Sequence, residues 1–163
     1  MKCETSILIK EMIEYYKNDV KRINHFLKVF SFAQIIGKLE QIDENLQYIL
    51  EVSAIMHDIG IKISEEKYNS SAGNYQEIEG PPVAKKMLEN FKVDDDIIER
   101  VCFLIGHHHT YSNIDNIDYQ ILIEADFLVN IYEDEIDIDK IPSIRDKYFK
   151  TKAGISILSD LYL

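Results

Sequence analysis

Apolar side chains return along this chain every three to four residues, without any sustained alternation of two, so the pattern predicts helices throughout and no convincing strand. Thr5 to Tyr16 carries Ile7, Ile9, Met12, Ile13 and Tyr16 mostly on one side. Asn18-Asp19 then supplies an N-cap for a second helix from Val20 to about Lys38. In that helix His25, Val29, Phe32 and Ile36 fall at i, i+4, i+7 and i+11, which sets a histidine on the buried stripe. Asp43 caps a third helix, Glu44 to Ile59, in which Leu50, Ser53, Ala54 and His57 share a face with room for a neighbour or a ligand. Gly60 is expected to end it.

The stretch Ser64 to Gln76 is the most loop-like of the chain, of a length that often forms a lid or binding element, although an ordinary surface loop reads the same way. Pro81-Pro82 suits the first turn of a helix that continues to about Asn90. Asp94 to Asp96 favour a helix start, and that helix runs through Arg100 to about His107. Asp118 begins another, where Leu122, Ala125, Asp126 and Val129 lie together and a carboxylate falls on the apolar face. An acidic connection from Asp134 to Asp139 follows. A helical region then opens at Pro142, breaks over Lys150 to Gly154, and resumes from Ile155 to Leu163. The expected fold is all-α.

A chain of 163 residues suits one domain with a real core and is short for two, so a single domain over 1–163 is expected. A net charge of −11 argues against nucleic acid polymers, whose binding needs many Lys and Arg contacts to phosphates, but leaves room for a small phosphorylated ligand. Cys3 and Cys102 show no motif spacing, which favours reduced thiols and a cytoplasmic setting. Glu4, Lys10 and Glu11 interrupt any signal-peptide core. No segment approaches the roughly 20 apolar residues of a membrane span.

Candidate chemistry centres on the histidines. The chain has five, His25, His57, His107, His108 and His109, each on or at the end of a predicted helix. His57 and Asp58 are adjacent, so one turn of backbone offers a neutral nitrogen and an anionic oxygen to one divalent ion. A lone pair of this kind is more often a core histidine beside a helix-end residue. Asp126 changes the balance, because a carboxylate on an apolar face is costly unless a cation compensates it.

Taken in order, His25, the pair His57-Asp58 within IMHDIG, the GHHH cluster and Asp126 within ILIEADFLVN resemble the HD superfamily of metal-dependent phosphohydrolases over roughly residues 20–132, with 133–163 as a helical extension. The resemblance implies an HD-type helical bundle in which His25, His57, Asp58 and Asp126 hold one divalent transition metal ion, Mn, Fe, Co or Ni in preference to Mg or Zn. It implies further that a metal-activated water attacks a nucleotide or related small phosphate ester, with Asp58 helping to orient the water. Members with more metals often carry a histidine where this chain has Gln76, four residues before Gly80, and that departure favours one ion. His108 is expected to face the site, ahead of His107 and His109. An imidazole there can protonate the leaving oxygen or bind phosphate. A solvated helix end would explain the same run. Arg22, one turn before His25, and Lys62, four residues after Asp58, are the candidate phosphate-binding cations.

Two other functions fit the same residues: a non-catalytic nucleotide or metal sensor, and an HD-type di-iron oxygenase, which needs more ligands than these. Screening phosphate classes against a series of metals separates them. No membrane partner is expected, and a homodimer stays open.

Overall fold

The helices that build the site start where the capping residues stand. The computed structural model describes residues 1–163 as nine α-helices and a short 3-10 turn, with no strand. Asp19 accepts a hydrogen bond from the Arg22 amide to open α2 (Val20–Leu39), and Asp43 accepts from Asn45 and Leu46 to open α3 (Glu44–Met56). The helix α1 (Thr5–Tyr15) lies on α3, and α7 (Ile117–Glu133) packs with α3 against α2, so the three helices that carry His25, His57 and Asp126 meet directly. One contiguous cluster of 35 buried apolar side chains fills the space among them.

The polar stretch after Gly60 differs from the expected loop. Ile61–Tyr68 forms α4 and Gly73 already starts α5 (Gly73–Asn90), leaving a short connection between them. Its polar residues serve helix ends instead. Ser64 donates to the Gly60 carbonyl within α4, Asn69 closes that helix in the left-handed conformation at φ 52°, and Ser70 accepts from the Ala72 amide. Pro81 and Pro82 likewise stand inside α5 rather than in its first turn. The preceding residue is Gly80, which lacks the Cβ that would clash with a following proline ring in a helix.

Gly60 has a role other than the expected helix stop. Its φ is −76°, an ordinary helical value. A Cβ there would stand 2.7 Å from the Gln76 carbonyl and 2.7 Å from the Gly80 amide, so glycine is needed for the turn after Asp58 to lie against α5.

The remaining helices are α6 (Asp95–Ile105), α8 (Ile141–Tyr148) and α9 (Lys152–Tyr162). The last starts earlier than its apolar pattern suggests because Thr151 caps it, accepting from the Gly154 amide. Glu124 of α7 binds the Lys150 and Thr151 amides and the Thr151 hydroxyl, which ties this end of the chain to the core. No helix is long and apolar enough to cross a membrane.

The segment 106–116, which carries the late histidines, is clamped at its far end. Arg100 of α6 binds Asp118 at 2.9 and 2.6 Å and Asp115 at 2.7 and 2.8 Å, while the Tyr119 hydroxyl donates to the His107 carbonyl. Asp118 is fully buried, so Arg100→Ala would strand its charge. The expected cost is about 2–4 kcal/mol, below that of a fully buried pair because Arg100 remains partly exposed. A thermal melt should show it as a fall of roughly 5–15 °C in Tm. An unchanged Tm would mean that water compensates Asp118.

Candidate metal centre

Each of the three histidines that meet here has its Nδ1 engaged, and this fixes what its Nε2 can do. His57 closes α3 and turns its Nδ1 toward the Ala54 carbonyl at 2.7 Å; His108, just past α6, turns its Nδ1 toward the Ile105 carbonyl at 2.7 Å. A carbonyl only accepts, so both rings carry the proton on Nδ1 and present a lone pair at Nε2. The Nδ1 of His25 meets the Glu133 carboxylate at 2.9 Å, with the same consequence for its neutral ring.

These lone pairs converge on carboxylate oxygens. The Nε2 atoms of His25 and His57 are 3.1 Å apart. Asp58 Oδ2 lies 3.2 and 3.3 Å from them, and Asp126 Oδ1 lies 3.2 and 3.4 Å from them. Neighbouring ligands bonded at about 2.0–2.2 Å to a common ion also stand about 3 Å apart. Asp126 Oδ1 and His108 Nε2 are buried without a hydrogen-bond partner, a state that a polar atom tolerates poorly unless a cation completes it. The donor set therefore fits a divalent metal ion. His25, His57 and Asp58 form one compact ligand group, Asp126 faces both imidazoles, and Asp58 is shared with a second group, Asp58, His108 and His109.

In the absence of a metal, protons must relieve the same crowding. Burial opposes a charge on His25, but Asp126 and Asp58 outweigh it and raise its pKa to about 10. Burial likewise disfavours ionised Asp58, yet His57, His108 and His25 hold its carboxyl well below the usual range. His109 differs. Burial, reinforced by His108, lowers its pKa to about 4, so it is neutral at pH 7, with Nε2 at 2.9 Å from the Gln76 side-chain oxygen.

The other expected residues divide. Arg22 and His109 line the cleft above the donor set, but Arg22 is already paired with Asp19 and Glu65. His107 is not brought to the cleft; its ring stacks on Phe103 with centroids 4.2 Å apart. Lys62 also lies elsewhere, with its ammonium over the Tyr15 ring and 3.4 Å from the Tyr15 carbonyl. The turn at 57–60 redirects the chain, so spacing from Asp58 along one helix does not apply to Lys62.

Sequence reasoning missed Lys21, Asn130 and Glu133, all of which line the cleft. A signal was present: Asp126, Asn130 and Glu133 recur at i, i+4 and i+7. Glu133 also orients His25, and such outer carboxylates typically contribute 10- to 100-fold to metal affinity. Glu133→Ala should weaken metal binding by about that factor in a chelator competition, and Glu133→Gln by less, because its amide oxygen still accepts from Nδ1. Equal affinity in Glu133→Ala and the parent would remove Glu133 from the centre.

The chain matches a known family. The family model of the HD domain matches residues 22–142, which span His25, His57, Asp58, the late histidines and Asp126. The chain belongs to the HD domain family. A crystal structure of a predicted HD superfamily hydrolase from an uncultured Thermotogales bacterium is similar in fold, with a TM-score of 0.66 at 22% identity, over 97% of this chain and 83% of that one. No curated protein matches the chain. The HD domain is a domain of metal-dependent phosphohydrolases, and the His and Asp clusters of this chain accord with divalent metal binding.

Proposed function

We propose that the protein is a metal-dependent phosphohydrolase acting on a small phosphate ester, with one divalent ion on His25, His57, Asp58 and Asp126. A nucleotide is the substrate that the sequence resemblance suggests. The observation that carries the reading is the convergence of the His25 and His57 Nε2 lone pairs with two carboxylate oxygens, of which the buried Asp126 Oδ1 has no hydrogen-bond partner, beside an open polar cleft. A closed structural site would leave no such access.

A divalent ion bound there supplies a Lewis acid for a phosphoryl oxygen and lowers the pKa of a water. The protein's own groups do the rest. Asp58 uses Oδ2 toward His25 and His57, while its Oδ1 lies 3.4 Å from His108 Nε2, where it can accept a hydrogen bond from the attacking water. His108 keeps one proton on Nδ1, committed to the Ile105 carbonyl, so a transferable proton can sit only at Nε2, and from there it can pass to the leaving oxygen. Lys21 stands at the cleft edge to receive phosphate oxygens, beside an Arg22 that is paired with Asp19 and Glu65.

The second group, Asp58, His108 and His109, could take another ion, since His109 donates from Nε2 to Gln76 and keeps a lone pair on Nδ1; our reading of a single ion rests on Gln76 standing where members of the family with more metals carry a histidine. Elemental analysis of the purified protein should find about one transition metal per chain, within the ordinary divalent range. Two per chain would assign His108 and His109 to a second ion. Assay against nucleoside phosphates and a generic phosphodiester, with Mn²⁺, Co²⁺, Fe²⁺, Ni²⁺ and Mg²⁺ in turn, tests the activity. Tight nucleotide binding without phosphate release under every condition would favour a sensor.

A further inference from the structure

Ligand pockets are lined mainly by apolar and aromatic side chains, with a few polar groups for orientation. The cleft above the donor set reverses that balance. Its volume is about 350 Å³, and of the twelve residues around it Ile61 alone is apolar, while none is Phe, Tyr or Trp. A nucleobase entering it would meet no aromatic face, although stacking is the usual sequence-tolerant way in which proteins hold a base.

What the cleft offers instead is hydrogen bonding. Along α7, Asn130 and Asp134 follow Asp126 at i+4 and i+8, so they extend one wall outward from the donor set. Neither side chain has a hydrogen-bond partner within the protein. Asn130 provides both a donor and an acceptor, and Asp134 provides acceptors. Alcohol hydroxyls donate and accept at once, and a row of them matches this wall better than the flat face of a base. Ser71 brings a further hydroxyl to the cleft, while Gln76 is engaged with His109 and the Ser71 carbonyl.

Resting on the phosphohydrolase reading, we propose that the substrate is the phosphate monoester of a polyhydroxylated alcohol, a sugar or polyol, recognised through its hydroxyls by Asn130 and Asp134. Hydrolysis breaks the ester P–O bond and forms a P–O bond to water. One proton of the water ends on the sugar oxygen, and the products are inorganic phosphate and the free sugar. In a nucleotide the same wall reads the ribose, and the base projects out of the cleft.

Adenosine 5′-monophosphate is ribose 5-phosphate with a base added, so this pair isolates the contribution of the base. With the Mn²⁺-loaded protein and p-nitrophenyl phosphate as reference, kcat/KM for ribose 5-phosphate should equal or exceed that for adenosine 5′-monophosphate. Asn130→Ala should lower the ratio of kcat/KM for ribose 5-phosphate over the reference about tenfold, chiefly through KM, as expected for one lost hydrogen bond. Asp134→Ala, at an exposed helix end, should lower it in the same direction and guards against a folding defect in the first variant. Ribose 5-phosphate should also raise Tm more in the parent than in either variant. If the reference ester is hydrolysed but adenosine 5′-monophosphate is preferred tenfold, or neither variant moves the ratio or the Tm shift, the proposal is overturned while the phosphohydrolase reading stands. If no phosphate ester is hydrolysed with any metal, that reading falls and this one with it.

Discussion

Asp58→Ala is expected to lose bound metal and turnover together, with activity down on the order of 10³-fold or more, since the contribution of a metal to such chemistry amounts to several kcal/mol. Asp58 alone joins both ligand groups, with Oδ2 toward His25 and His57 and Oδ1 toward His108. No nearby side chain replaces it. The helical fold should survive, because what Asp58 gives the architecture is its backbone: its carbonyl accepts from the Tyr16 hydroxyl, and alanine keeps that carbonyl. Asp126→Ala should behave in the same way, since without that carboxylate the two imidazoles facing it can revert to neutral rings and no buried charge is stranded. Metal content, circular dichroism and turnover measured on one preparation check all three parts. Natural metal content with full activity in either variant would remove that residue from the centre.

How much of this was legible in the sequence follows from how local each cause is. The ligands stood out because they break a pattern: His25 and Asp126 are polar groups on apolar helical stripes, and His57 with Asp58 ends a buried run. Helices opened by Asp19 and Asp43 were equally plain, since a cap acts within a turn of its own residue. The segment after Gly60 was misread for a related reason. Ser, Asn and Gly signal loops when helices compete poorly for their backbone, but here those residues finish one helix and lead into the next. Long-range partners left the weakest trace. Glu133 meets His25 across 108 residues of chain, and nothing in the acidic run at its end distinguishes it from its solvated neighbours except a spacing from Asp126. Lys62 shows the converse error, for its separation from Asp58 is short, yet the intervening turn carries it to α1.

His108→Ala should part metal binding from catalysis. His25, His57, Asp58 and Asp126 all remain, so the ion at that set should stay at about the parent's content. Turnover should nevertheless fall by roughly 10²- to 10⁴-fold, the usual effect of losing a positioned general acid or base. The geometry supports this division. His108 is almost wholly buried, its Nδ1 is anchored to Ile105, and its Nε2 has no hydrogen-bond partner although Asp58 lies 3.4 Å away. Removing the ring opens a small buried cavity beside Asp58 without stranding a charge, so the stability loss should be modest beside the loss in rate. The leaving group gives a sharper readout. For p-nitrophenyl phosphate, whose phenolate departs without a proton, the loss should be much smaller than for an alkyl phosphate, whose alkoxide needs one. Equal losses on the two esters would argue against proton donation by His108, and a halving of metal content from two ions per chain would identify it as a ligand instead.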